Sequence, residues 1–397
     1  MDMKNRSTSH ISREPQSLRS GPRWGEILLL YIPIIRNTIL IRQRNNYTTI
    51  DFWAIIDIIA FLCIVCIMGA NWAKIPWKKI NQSPLKWWMT YYVFCIFSIF
   101  WRVQGSSVAY ICYRSLAMLS MTIYSLWIMA KFSNKNIAFQ HVIIYIWWIA
   151  ILGLLHPLMK GQGLHTNSYS ISAAIVAIIL LALHAKIYNQ KYRIILITSI
   201  VLLILGTSAG TNAAFAAAVM LWAISLRQRI NMLSIICCVI LAYLIFSYGF
   251  SLIVQYIFPN KTMESISNMT GRTFIWENYI NAWQSSPWLG YGFSVGERSG
   301  ESFGCGYYLS AHNGFISVLI NTGIVGILIF GSFIFGFMID LYRHIQHMTP
   351  YALPIFLAMV VIMVNNFTFP LIGSIWTADT QSCIFLFSYC AIFINNN

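Results

Sequence analysis

An arginine, a histidine and an asparagine define the chemistry this chain can attempt. Arg272 opens a stretch in which Ile275, Tyr279 and Trp283 recur at helical spacing, with Phe274, Trp276 and Ile280 widening the apolar stripe and Thr270 as its expected cap. So short and aromatic a helix should lie along a membrane surface, not cross it. Its first turn then stands among lipid headgroups. Guanidinium is always charged, its planar fork of donors matches phosphate oxygens, and free amides at a helix start add to an anion site. A lipid phosphate is the natural ligand; the plainer alternative is an interfacial arginine that touches any phospholipid. His312 and Asn313 follow where the chain returns to apolar sequence. A histidine there can be neutral near pH 7 and accept a proton from a hydroxyl, and Asn313 can orient it or bind a sugar. The alternative is a structural histidine. Arg114 sits inside an apolar run, where an arginine costs about 2.5–3.5 kcal/mol on insertion scales unless it faces protein or water. It either points into the same cavity as these residues or snorkels near the end of its span.

Other site types are missing from the sequence. There is no Walker loop, no Asp-x-Asp pair and no His, Cys and carboxylate cluster at metal spacing. Gly290-Tyr291-Gly292 follows no strand, so it is not a dinucleotide fingerprint. A metal mechanism would have to draw on Glu264, Glu277, Glu297, Glu301 or Asp379, and none is expected: no metal and no cofactor.

The elements that must hold these residues are set by composition. Of 397 residues 58% are hydrophobic and 9% charged, against about 25% charged in a soluble domain. Such a chain cannot cover itself with polar surface, so it is an all-α, polytopic membrane protein. Apolar runs predict about twelve spans, at 27 to 41, 52 to 72, 87 to 101, 108 to 130, 138 to 157, 168 to 186, 194 to 209, 211 to 226, 232 to 258, 311 to 340, 351 to 371 and 381 to 395. The first is short and contains Arg36. The net charge of +15 comes from Lys and Arg clustered in short connections, which reads as the positive-inside pattern and not as nucleic-acid binding. With twelve spans the clusters share one side with both termini, so that side is cytoplasmic; Arg42 and Arg44 are the discordant pair. The basic segment 1–25 is expected to be a cytoplasmic tail and not a cleaved signal. Residues 26–397 form one transmembrane domain, whose large outward loop, 259–310, joins the ninth and tenth spans. Eight cysteines lie in apolar runs and Cys305 alone in the loop, so no structural disulfide is expected. No internal repeat is evident, which counts against transporters built from two related halves.

Three patterns in and beside that loop carry a resemblance: Gly271-Arg272 with Trp276, then Pro287-Trp288-Leu289-Gly290-Tyr291-Gly292, then His312-Asn313 followed by Gly323 and Gly326. Together they resemble the O-antigen ligase superfamily, which includes O-antigen and exopolysaccharide polymerases. The layout of about twelve spans with a periplasmic loop between the ninth and tenth is similar too. The resemblance implies a bacterial inner-membrane glycosyltransferase without metal or nucleotide. It would pass a glycan from undecaprenyl diphosphate to an acceptor hydroxyl, on a lipid or a saccharide, at the periplasmic face. On that pattern Arg272 holds the diphosphate, and His312 is base or acceptor-orienting group.

One departure stands out. Relatives often carry Ser-Arg-Gly at the outer end of the seventh span, where this chain reads Thr207, Ser208, Ala209, Gly210, Thr211, Asn212. A second cation must come from Arg298, Arg114 or Arg102, or the donor is held differently; Asn212 or Ser208 can offer neutral hydrogen bonds. The ligase reading leads, a polymerase of the same fold follows, and a lipid-linked glycan transporter is the rival from another class.

Overall fold

The computed structural model describes residues 21–38, 52–153, 166–183, 190–206, 208–227, 272–305, 310–374 and 377–394. No strand occurs among them. In chain order the helices are α1 (Trp24–Thr38), α2 (Phe52–Ala70), α3 (Trp77–Gln82), α4 (Leu85–Phe97), α5 (Val108–Lys131), α6 (Lys135–Leu152), α7 (Thr166–Ala182), α8 (Gln190–Leu205), α9 (Ala209–Arg227), α10 (Arg272–Gln284), α11 (Gly314–Gln346), α12 (Ala352–Asn366) and α13 (Ala378–Phe393). Residues 1–20 of the expected tail (1–25), the ninth span at 232–258, Thr270, Gly271 and loop positions 259–269 and 306–309 lie outside the described residues.

Local sequence sets the helix starts. Ser107, Asn134, Asn313 and Thr377 each accept a hydrogen bond from a first-turn amide, of α5, α6, α11 and α13 respectively. Among the described residues α5, α6, α11 and the Ala209–Leu226 part of α9 are long and apolar enough to cross a bilayer, and five shorter apolar helices accompany them. On α8, Ile197, Val201 and Ile204 form an exposed stripe at helical spacing. A water-soluble bundle would bury such a stripe; a lipid-embedded one leaves it outward.

The core runs along α13, which is buried from Ala378 to Ile392 and packs on α5, α6 and α7. Its Phe387 meets Trp88 of α4 and Phe333 and Phe337 of α11 at edge-to-face angles. Helices α7 and α12 close the far side, with α8 and α9 outside them. The seven cysteines in the described residues are unpaired.

α11 differs from its sequence expectation. The apolar run predicts one continuous span, but Gly323 has φ 63° and breaks the helix. Segment 314–322 is thereby set apart from 324–346, and the second part alone, at ~1.5 Å per residue, is long enough for a ~30 Å hydrocarbon core.

Candidate functional site

The break in α11 is filled by the loop. Ile320 and Asn321 lose the amides that would bond them in a continuous helix; their carbonyls instead accept from Tyr291 and Gly292 N–H, each at 2.9 Å. In return Ile324 and Val325 donate to the carbonyls of Pro287 and Trp288, at 2.8 and 3.1 Å. Four backbone bonds thus splice Pro287–Gly292 into the helix and give Ile320, Asn321, Ile324 and Val325 new partners. Two glycines make this possible. A side chain at Gly323 would strike the Trp288 carbonyl, and one at Gly290, φ 64°, would meet the Ile320 carbonyl. Gly323 thus admits the loop backbone.

The other edge of the loop is tied to the connection between α4 and α5. Ser98 Oγ accepts from Phe293 N–H, Val103 N–H donates to the Tyr291 carbonyl, and Trp101 donates to Leu289. Arg102 is occupied here, donating to the carbonyls of Ile99 and Ser106.

The centre of the site is the Ala311 peptide. Its N–H donates to Glu297 Oε1 at 2.8 Å and its carbonyl accepts Trp276 Nε1 at 2.8 Å. Trp276 lies one turn along α10 from Arg272, on the same face, while His312 follows Ala311 directly. The helix that carries Arg272 is therefore bonded to the residue that precedes His312. Ile275 and Tyr279 of α10 pack beneath it with Ala311 and Ile320. His312 is half-buried and held in the left-handed region, φ 49°, with its N–H on Ser310 Oγ. Strain of this kind concentrates where the surroundings fix a residue for use. Asn313 is buried, and its side chain is taken by the amides of Phe315 and Ile316, so it caps α11. Partial burial lowers the Arg272 pKa from its ordinary value, but an arginine remains charged at any working pH.

Glu297 is the residue that sequence reasoning left aside. Its buried carboxylate takes Ala311 N–H and Ser317 Oγ at Oε1, and Ser374 Oγ approaches Oε2. Its own N–H donates to Asn321 Oδ1, and its carbonyl accepts the Tyr279 hydroxyl. Burial pushes its pKa up, and the bonds from Ala311, Ser317, Ser310 and Ser374 pull it back in part. The only advance signal was an acid in a glycine-rich loop.

Arg298 follows Glu297 in a short turn, and its guanidinium lies 4.4 Å from the Tyr110 ring centre. Arg114 approaches the same ring at 5.1 Å. It falls within the first two turns of α5, near the end of its span. Asn212 is exposed at the start of α9. Beside it Ser208 and Thr211 are buried, bonded to each other and onward to Asn365 of α12. No group of three His, Cys, Asp or Glu that could hold a metal gathers among the described residues.

This is a helical membrane protein whose polar loop is spliced into a broken helix and bonded to the residue that precedes His312. Residues 194–331 match the family model described as O-antigen ligase, an interval that runs from α8 through the loop to the break in α11. That match, over about a third of the chain, supports the O-antigen ligase superfamily to which the motifs point. Comparison with curated proteins gives no match.

Proposed function

We propose that the chain is an O-antigen ligase-type glycosyltransferase of the bacterial inner membrane. It passes a glycan from undecaprenyl diphosphate to an acceptor hydroxyl at the periplasmic face. The observation that carries this reading is the Ala311 peptide, whose two hydrogen bonds bring the arginine helix and His312 to one place within the family-matched interval.

In the reaction the acceptor oxygen forms a bond to the anomeric carbon as the bond from that carbon to the diphosphate oxygen breaks. The electron pair leaves with the diphosphate, and the hydroxyl proton goes to His312. Arg272 offsets the charge that grows on the leaving group, which is where a fixed cation gives most rate. A lipid diphosphate leaves readily, so one base and cationic stabilisation suffice. Trp276 positions Arg272 relative to His312. Asn313 caps α11 and keeps His312 at the helix start, and exposed Asn212 is a neutral donor for the saccharide.

The test is glycan transfer by purified protein with a carrier-linked donor. Arg272→Ala and His312→Ala should each abolish transfer while expression and insertion persist; wild-type activity in both removes the assignment. The missing arginine at 207–212 favours a second reading, a polymerase whose acceptor is another carrier-linked repeat unit. Longer carrier-linked chains would show a polymerase, and glycan on a lipid core a ligase.

A further inference from the structure

We propose that Glu297 is a positioning residue for His312: its buried carboxylate bridges the turn between Ala311 and Ser317 and holds the histidine in its left-handed backbone conformation. This rests on the preceding reading and deepens it, because it names the group that keeps the base in place at the start of α11.

The carboxylate grips the chain on both sides of His312. Oε1 accepts the Ala311 N–H, one residue before, and the Ser317 hydroxyl, five residues after, each at 2.8 Å. Ser310 also bonds the carboxylate, and its Oγ accepts the His312 N–H at 3.2 Å. These contacts bracket a residue at φ 49°, a conformation that anything larger than glycine adopts only at a cost. A further contact fixes the start of α11. Asn366 Oδ1 accepts the N–H groups of Leu371 and Ile372, each at 3.0 Å, and a side chain at Gly314 would strike this amide.

Glu297 is itself anchored before its carboxylate reaches the turn. Its N–H donates to Asn321 Oδ1 at 2.9 Å, beside the break in α11, and its carbonyl accepts the hydroxyl of Tyr279, on the helix that carries Arg272. One residue thus ties together the broken helix, the arginine helix and the histidine turn. It is not placed to take the acceptor's proton directly. The residue is 5% exposed, Oε1 already accepts two hydrogen bonds, and Ser374 Oγ stands 3.4 Å from Oε2. A carboxylate so enclosed acts through the residue it holds.

The experiment uses full-length protein in lipid nanodiscs and compares wild type, Glu297→Gln, Glu297→Asp, Glu297→Ala and Ser317→Ala. Two quantities are measured below each variant's thermal midpoint, so that rates refer to folded molecules: glycan transfer from a carrier-linked donor, and amide hydrogen exchange of residues 310–317. Glu297→Gln keeps an oxygen for both donors and should retain most of kcat with wild-type exchange. Glu297→Asp withdraws the carboxylate by one methylene and Glu297→Ala removes it. Both should lower kcat about 10–100-fold, the scale of a misplaced catalytic group, with acceptor KM little changed. Exchange across 310–317 should quicken about tenfold or more, as expected for the loss of a hydrogen bond to a charged group. Ser317→Ala removes one anchor, should shift both readings in the same direction by less, and carries the test should Glu297→Ala fail to fold.

Folded Glu297→Ala and Glu297→Asp proteins with wild-type kcat overturn the proposal and leave the enzyme reading standing, because the carboxylate would then serve stability alone. An inactive Glu297→Gln with wild-type exchange also overturns it, since the ionised group would then be needed in its own right. Wild type that transfers no glycan, with faster exchange in Glu297→Ala, removes the enzyme reading and keeps the clamp on His312.

Discussion

Replacing Glu297 should separate its two jobs, tethering the loop and carrying a buried charge. Glu297→Ala leaves the Ala311 amide and the Ser317 hydroxyl without their acceptor, both in a buried setting. Each orphaned group costs about 1–3 kcal/mol, so the variant should lose about 2–6 kcal/mol. Glu297→Gln keeps an oxygen for the same two donors and turns an amide toward Ser374, so it should stay near wild-type stability. The pH dependence gives an independent readout. Burial raises the folded-state pKa above the unfolded one, so the folded protein holds this proton to higher pH than the unfolded chain does. Folding then binds a proton within the window between the two values, and stability falls as pH rises through it; below the unfolded value the penalty is absent, and above the folded value it is complete. Glu297→Gln should flatten that slope. Thermal midpoints in nanodiscs from about pH 4 to 7, for wild type and both variants, supply the data. A Glu297→Ala protein as stable as wild type, or a Gln variant with an unchanged pH slope, would refute the reasoning.

Other outcomes follow from single contacts. Gly323→Ala places a side chain against the Trp288 carbonyl at a positive φ, and should cost about 2–4 kcal/mol; limited proteolysis should then cut the freed 287–296 segment faster than in wild type. Trp276→Phe removes one hydrogen bond to Ala311, so stability should fall by only about 1 kcal/mol, while kcat for glycan transfer drops and acceptor KM holds. Asn313→Ala deletes the cap of α11; about 1 kcal/mol should be lost, visible as a lower thermal midpoint.

What could be read from the sequence, and what could not, divides by the range of the interaction. Apolar runs placed the helices, and their ends fell within a few residues of Ser107, Asn134, Asn313 and Thr377, because a cap is a contact between near neighbours. The break in α11 was hidden. Gly323 sits in a run that stays apolar on both sides, and the groups that replace its helix bonds come from Pro287–Gly292, whose own glycines read only as turns. Glu297 escaped for the same reason: its partners Ala311, Ser317, Asn321 and Ser374 are scattered along the chain, so spacing carries no trace of them. Arg114 was visible as an anomaly but not as a member of a pair, since Tyr110 joins it by helical neighbourhood and Arg298 only through the fold. Residue types thus marked where the candidate chemistry should be. Whether those residues could act together depended on one peptide, Ala311, which has no side-chain chemistry of its own and which no motif search would select.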